Sequence, residues 1–268
     1  MTAHFDATAY LTSSYAMLWA IGSTRLWNRS SATTEMAYRL LWGMGGIGCL
    51  IAMQLSPFHH WSEELFTFHM IEHEILMAVA APLLVLSRPG AALLWALPRQ
   101  GRQGVGRAVA AVQGSSLWAW LSRKSVATLL HGFAIWAWHL PTLFEWAIAD
   151  HIVHWLQHLS FFATGLLFWW ALLRRPLAAQ AGQAVGHLFV TALHTGLLGV
   201  LLTFSRRLWY DPAPDVTEWG LTPLEDQQLA GVIMWVPASI VYALAAVAMM
   251  ALWLRSLSSR REFGDAQT

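Results

Sequence analysis

The stretch HIVHWLQHLSFFATGLLFWW at residues 151–170 decides the fold. It contains no Asp, Glu, Lys or Arg, and apolar or aromatic side chains fill most of its positions. A helix of this length is about 30 Å long, which matches the hydrocarbon thickness of a bilayer. Its polar residues include His154 and His158, which are four residues apart and therefore lie on one face of a helix. The stretch predicts a transmembrane helix that carries a pair of imidazoles.

The composition of the whole chain is typical of a membrane protein. Of its 268 residues, 56% are hydrophobic and only 12% are charged, whereas soluble domains carry about 25% charged residues. This composition argues against a soluble enzyme. The net charge of +1 predicts no nucleic-acid partner. Because Cys49 is the single cysteine, the sequence excludes a disulfide framework within the chain and a thiolate-based metal cluster.

Seven apolar stretches predict an all-α, polytopic bundle of seven transmembrane helices, which forms one domain over residues 1–268. The first stretch is the least apolar, because it contains Thr12, Ser13 and Ser14. The predicted spans are Ala9 to Thr24, Met36 to Leu55, Trp61 to Ser87, Ser125 to Ala147, Ile152 to Leu173, Val185 to Ser205, and Gln227 to Leu254.

The basic residues predict the orientation of this bundle. Fourteen of the sixteen lie in segments that seven spans would place on one side of the membrane. Only Arg206 and Arg207 fall on the opposite side, in a loop that also contains five acidic residues. Since cytoplasmic connections are rich in Lys and Arg, the amino terminus is predicted to lie outside and the carboxyl terminus in the cytoplasm.

Two of the predicted connections are long. The cytoplasmic one, about 88–124, is predicted to be a basic linker that is flexible at GRQGVGRA, residues 101–108. Its later part, Ala108 to Leu121, has the composition of an amphipathic helix on the membrane surface. The outer one, about 206–226, combines three prolines with aromatic residues and predicts a compact lid.

Six histidines share one depth in the outer half of the predicted bundle. At a rise of 1.5 Å per residue, each lies roughly 3 to 18 Å from the outer end of its span. Two pairs of these histidines, His69 with His73 and His154 with His158, are four residues apart. Each pair therefore presents two imidazoles on one helix face. Polar groups in hydrocarbon are costly and usually mark a functional interior. The six are His69, His73, His139, His154, His158 and His194.

Other polar residues are assigned separately. His131 and His187 fall in the inner half, where an interhelical hydrogen bond is the expected role. Glu72 and Glu74 of the third span are candidates to orient histidine rings or to balance the charge of a cation. The sequence gives no single role to His59, His60, His151, Glu72 and Glu74.

A group of imidazoles without thiolates suits copper, haem iron or zinc. A zinc hydrolase motif is not present at MIEHEI, residues 70–75, because no second histidine follows His73 four residues later. Met70 and Met77 lie on the same predicted helix and favour copper, since thioethers prefer the cuprous ion. Core packing is the alternative role for each of these methionines. Metal binding of this kind requires no turnover chemistry, so the chain is not predicted to be an enzyme.

Four motifs follow one another along the chain: FTFHMIEH (66–73), AWHLP (137–141), HIVHWLQHLSFFATGLLFWW (151–170) and LEDQQLAGVIMW (224–235). In this order they resemble the CtaG family of integral-membrane cytochrome c oxidase assembly factors. The resemblance covers nearly the whole chain from the second span onward. It implies seven spans in a bacterial inner membrane and a function in the assembly of haem–copper oxidases through the supply of copper.

The resemblance also implies site residues and partners. The implied partners are haem–copper oxidase subunits and a periplasmic copper donor, besides the bilayer itself. Asp226 would hydrogen-bond a ligating histidine or serve as an oxygen ligand, whereas composition alone makes it the N-cap of the last span. A haem-binding membrane redox protein and a non-metal scaffold remain alternatives. The matching positions are His69, His139, His154 and Asp226, with His73 and His158 as matches shared by many members.

Overall fold

The computed structural model describes residues 2–55, 58–174, 177–211 and 216–265, and within these ranges every regular element is a helix. The predicted all-α class is confirmed for this part of the chain. The helices are α1 (Thr2–Trp27), α2 (Thr33–Gln54), α3 (Phe58–Glu64), α4 (Phe66–Glu74), a π-helical segment (Ile75–Ala80), α5 (Ala81–Ser87), α6 (Pro89–Ala96), α7 (Arg99–Gly114), α8 (Ser116–Leu121), α9 (Lys124–Trp138), α10 (Pro141–Ala149), α11 (His151–Leu173), α12 (Leu177–Thr203), a 3₁₀ turn (Val216–Trp219) and α13 (Pro223–Asp265).

Within the described ranges, five helical segments are long and apolar enough to cross a membrane. Each coincides with a predicted span. The predicted first span lies within α1, which packs against α2 and α6, and its role as a span stays a prediction. The five segments are Thr33–Gln54, Phe66–Ser87, His151–Leu173, Ala181–Thr203 and Pro223–Arg255.

The predicted fourth span, Ser125 to Ala147, is wrong as one continuous helix. The chain leaves helical geometry after Trp138, and a new helix begins at Pro141. Proline has no N–H to donate, and its ring disfavours helical geometry in the preceding residue, so it sits at the first position of a helix. Leu140 accordingly has extended backbone angles. The break leaves His139 at the end of α9.

The segment Phe66–Ser87 forms the centre of the bundle. It is 61% buried within the protein, compared with 33% or less for the other four candidate spans. Its two ends pack against different helices, since α4 contacts α13 while α5 contacts α2 and α11. The π-helical segment joins these halves, and the Met77 carbonyl in it accepts a hydrogen bond from Trp169 Nε1 at 2.9 Å. Single π-helical turns of this kind occur often beside functional sites.

The flexibility predicted for the linker at about 88–124 is wrong, whereas its later part, Ala108 to Leu121, is helical as expected. The linker folds into α6, α7 and α8, and α7 runs through the predicted flexible stretch at 101–108. Each glycine there costs about 1 kcal/mol of helix stability relative to alanine, but the remaining residues favour a helix. Val105, Val109 and Val112 are exposed along one face of α7, which suits a helix lying on a membrane surface.

The bundle has two distinguishable ends. We call the end that contains α3, the break between α9 and α10, and residues 204–211 and 216–222 the upper end. The opposite end, which contains α7 and α8, is the lower end. Residues 212–215 of the predicted lid lie outside the described part of the chain, so only the flanking parts of the lid can be placed.

Candidate metal centre

Four imidazoles from two helices meet near the upper end of the bundle. His69 and His73 of α4 have ring centroids 4.3 Å apart, and His154 and His158 of α11 have centroids 4.4 Å apart. The two pairs face each other, since the His69 and His154 rings are 5.4 Å apart and the His73 and His158 rings are 4.9 Å apart. Each pair converges because a four-residue spacing sets both rings on one helix face.

Three of these residues have the spacing of a metal site. One ring nitrogen from each of His69, His154 and His158 lies within 4.8 Å of the others. An ion with metal–nitrogen bonds of about 2.0 Å in tetrahedral geometry would hold its nitrogens about 3.3 Å apart, so small ring rotations would close the set. His69 is 3% exposed, and no described residue offers a hydrogen-bond partner to its Nε2. We call these three residues the tri-His group.

His73 and His139 extend the imidazoles deeper into the protein. Their rings are 6.4 Å apart, and both pack against the ring of Phe161. His73 is 1% exposed, and neither of its ring nitrogens has a hydrogen-bond partner among the residues the structure describes. His139 Nε2 lies 3.5 Å from Met70 Sδ. Five of the six sequence-predicted site residues therefore lie in one contiguous group.

The position of His139 is set by its place at the end of α9. The carbonyl groups in the last turn of a helix lack intrahelical partners, and the Tyr210 hydroxyl donates to the His139 carbonyl at 2.9 Å. Burial raises the pKa of Tyr210, so its phenol keeps the proton that it donates. Sequence reasoning missed this residue. The only signal for it is its place in the connection at 206–226, which combines prolines with aromatic residues.

Asp226, the sixth predicted site residue, contacts the beginning of α4. Its carboxylate accepts hydrogen bonds from the backbone N–H groups of Phe66 and Thr67 at 2.8 and 3.0 Å and from the Thr67 hydroxyl at 2.6 Å. These are N–H groups that a helix start leaves without intrahelical partners. Asp226 is thus a positioning residue for the helix that carries His69. Its role as an oxygen ligand stays a prediction.

Asp226 is not the N-cap of its own helix, which corrects the interpretation from composition. Helix α13 begins at Pro223, four residues earlier than that interpretation requires. Thr222 is the cap: its hydroxyl accepts from the Glu225 N–H at 3.3 Å, and the Glu225 carboxylate accepts from the Thr222 N–H at 2.8 Å. This reciprocal arrangement is a capping box. It leaves the Asp226 carboxylate available to α4.

Aromatic side chains cover the group on the upper side. Phe66, Phe144 and Tyr210 pack against one another with centroids 4.3 to 5.1 Å apart, and Phe144 lies 5.7 Å from the His69 ring. Beyond them, Trp219 Nε1 donates to Glu64 at 2.9 Å, which fastens the 3₁₀ turn to α3. The described parts of the predicted lid therefore pack onto the bundle.

A cleft of about 1800 Å³ opens beside the tri-His group. It is lined mainly by apolar side chains of α1, α2, α5 and α11, and it extends from His60 at the upper end to Arg174 at the lower end. Glu72 lines it together with all three members of the tri-His group. The cleft gives the tri-His group a route to the surroundings of the bundle.

The remaining histidines lie apart from the tri-His group. His131 contacts Thr164 at 3.1 Å and His187 contacts Thr128 at 3.0 Å, which are the interhelical hydrogen bonds expected of them. His194, predicted at the depth of the group, instead accepts from Trp136 Nε1 at 3.4 Å.

Two histidines lie at the upper end of the cleft. His60 Nε2 lies 2.8 Å from a carboxylate oxygen of Glu64, and His151 is exposed where the cleft opens. The side chain of His59 lies outside the described part of the structure.

Comparison with known proteins identifies one family. The profile described as cytochrome c oxidase caa3 assembly factor (Caa3_CtaG) matches residues 17–256. An uncharacterized protein of Mycobacterium leprae is 25% identical over 239 residues, which are 85% of this chain and 36% of that protein. Uncharacterized proteins of Mycobacterium bovis and Mycobacterium tuberculosis are each 25% identical over 225 residues, 81% of this chain and 34% of theirs. The chain spans about a third of the length of these curated relatives. No solved structure is significantly similar to it.

Proposed function

The chain belongs to the family of cytochrome c oxidase caa3 assembly factors, and we propose that it binds copper in its histidine group and delivers the ion to a nascent haem–copper oxidase subunit. We place it in the bacterial cytoplasmic membrane, with the upper end facing outward as the positive-inside rule predicts. Copper is here the cargo, so the protein needs affinity and release rather than turnover.

The observation that carries this proposal is the tri-His group. Three imidazoles from two different helices come within 4.8 Å of one another in a chain of low charge content. Intramembrane polar residues are costly and are retained mainly where they serve a function. A purely structural network would satisfy its nitrogens by hydrogen bonds, yet the buried Nε2 of His69 has no such partner among the described residues.

The ligand chemistry favours copper over zinc. Imidazole binds both ions, but a thioether is a soft ligand that selects the cuprous ion. Met70 is 1% exposed, and its sulfur lies against His139, one of the imidazoles that extend from the tri-His group into the protein. Glu72 is 4% exposed and lines the cleft with the tri-His group, so its carboxylate is placed to balance the charge of a cation.

The cleft supports delivery to a partner within the membrane. His154 and His158 are half-buried and line the cleft, so a bound ion would be reachable from the side of the bundle. An oxidase subunit with transmembrane helices could approach along this apolar surface. A periplasmic donor would load the ion from the upper end, where His60 and His151 lie.

Anaerobic loading of the purified full-length protein with the cuprous ion tests the proposal. The wild type should bind copper, and a triple variant with alanine at His69, His154 and His158 should lose most of that binding. In cells that depend on this protein, the same variant should lower the copper content of the oxidase. The matched control replaces the same number of imidazoles outside the group and outside the cleft, with alanine at His131, His187 and His194.

Three results would overturn the proposal. A wild type and a triple variant with equal copper content would exclude the tri-His group as the binding site. A Soret band in natively expressed protein would identify a haem-binding membrane protein instead. Normal oxidase copper in cells carrying the triple variant would indicate a scaffold in which the imidazoles hold helices together.

A further inference from the structure

The side chains of His139 and Met70 face each other through His139 Nε2 and Met70 Sδ, and neither atom carries a proton. His139 Nδ1 lies 2.7 Å from the Ile135 carbonyl oxygen, which can only accept, so Nδ1 carries the proton. In the neutral ring, Nε2 then holds a lone pair. That nitrogen lies 3.5 Å from Met70 Sδ, which is itself a weak acceptor. A contact between two buried acceptors is stabilised by a cation that both can bind.

The separation of these two atoms is that of two ligands on one ion. Metal–nitrogen and metal–sulfur bonds of about 2.0 and 2.3 Å at a tetrahedral angle place the two ligand atoms about 3.5 Å apart. The separation of Nε2 and Sδ therefore equals that of two ligand atoms on one ion. Both residues are almost fully buried, with 1% of Met70 and 4% of His139 exposed.

His73 is the third candidate ligand. Its ring lies 6.4 Å from that of His139, and Phe161 packs against both rings. Neither of its nitrogens has a hydrogen-bond partner among the described residues, although the ring is 1% exposed. Such a buried imidazole needs a partner for its lone pair.

We propose that Met70, His73 and His139 form a second metal position, the inner position, which takes the cuprous ion. The inference rests on the proposed function, because the tri-His group is the position through which the ion enters. Two nitrogens and one thioether sulfur make a softer ligand set than three imidazoles, so the inner position selects the cuprous ion.

His73 connects the two positions. Its ring lies 4.3 Å from that of His69 and 4.9 Å from that of His158. Because a neutral imidazole has one lone pair, His73 serves one position at a time. An ion therefore moves between the tri-His group and the inner position as the His73 ring turns from one to the other.

X-ray absorption at the copper edge tests this proposal on the full-length protein in detergent, loaded anaerobically with the cuprous ion. The wild type should show a sulfur scatterer at bonding distance in addition to nitrogen. Met70→Leu should remove the sulfur signal and lower the binding capacity by about one ion per chain. Leucine nearly conserves the volume of methionine, so the fold should survive the change. The control is Met249→Leu, which alters an equally buried methionine in a separate core cluster.

The outcomes separate this proposal from the preceding one. Copper bound by nitrogen alone in the wild type, with equal capacity in Met70→Leu, would overturn the inner position and leave the tri-His group intact. A wild type that takes up no cuprous ion would overturn both. A wild-type spectrum without a sulfur scatterer overturns the inner position by itself, so that outcome does not depend on how any variant folds.

Discussion

Asp226 shows how one residue can support the site without touching it. Replacement by alanine would leave two backbone N–H groups and the Thr67 hydroxyl without their acceptor. An unsatisfied buried donor costs about 1 to 3 kcal/mol, so Asp226→Ala should lower the free energy of unfolding by about 2 kcal/mol or more. Because α4 carries His69, cuprous affinity should fall as well. Thermal unfolding in detergent, followed by circular dichroism, and an anaerobic copper titration measure the two effects.

The matched control for this prediction is Glu225→Ala, one residue earlier. Glu225 is an exposed acid whose carboxylate accepts hydrogen bonds from Thr222 at the start of its own helix. Glu225→Ala should lower the unfolding temperature less than Asp226→Ala does, and it should leave the cuprous affinity unchanged. Equal copper affinity in wild type and Asp226→Ala would contradict the positioning role.

Residue spacing explains what could be predicted at this scale. The pairs His69 with His73 and His154 with His158 follow from helix geometry alone, because a four-residue spacing fixes one face whatever the partner. The role of Asp226 could not be predicted, since its hydrogen-bond partners are about 160 residues away in the chain. Tyr210 and the Met70 contact with His139 are likewise tertiary, and no local pattern encodes them.

Helices α12 and α13 pack most closely where two glycines meet. A Cβ atom on Gly231 would lie 2.6 Å from the Gly199 carbonyl oxygen and 2.6 Å from the Thr203 nitrogen. Both contacts are with backbone, which cannot rotate away. Gly231→Ala should therefore separate the two helices and lower the free energy of unfolding by about 1 to 3 kcal/mol. Unfolding by sodium dodecyl sulfate, followed by circular dichroism, measures the loss.

Gly186→Ala on α12 is the opposite case. No atom lies within 4 Å of a Cβ built there, so the substitution meets open space. Alanine favours a helix over glycine by about 1 kcal/mol, and stability should stay equal or rise slightly. If Gly186→Ala and Gly231→Ala unfolded at the same detergent fraction, close packing of α12 on α13 would not be a source of stability.

Helices could be predicted from the sequence where composition alone determines them. They could not be predicted where a single residue determines whether a helix continues. Five spans were predictable because about twenty apolar residues in succession have few alternatives to a membrane helix. The fourth predicted span failed at Pro141, since an apolar pattern continues across a break that one missing N–H causes. The flexible stretch predicted at 101–108 failed in the other direction, because its three glycines lower helix propensity without breaking the helix that their neighbours form in α7.

At the scale of the whole molecule, the two ends of the bundle differ in charge and in chemistry. The tri-His group and its aromatic cover lie near the upper end, whereas Arg88 and Arg174 line the cleft at the lower end. In the proposed delivery function, the ion reaches the upper end from the periplasm. The charge asymmetry predicts this orientation, which makes topology a test of the function as well as of the fold.

Labelling of single introduced cysteines tests the orientation of the bundle. In a Cys49→Ala background, Asp211→Cys places an exposed thiol at the upper end and Gln103→Cys places one on α7 at the lower end. In intact spheroplasts, a membrane-impermeant maleimide should label the thiol at 211 and not the one at 103, because fourteen of sixteen basic residues mark the lower side as cytoplasmic. Permeabilised spheroplasts are the control, in which both should react. The reverse pattern in intact spheroplasts would put the tri-His group near the cytoplasm and exclude loading from the periplasm.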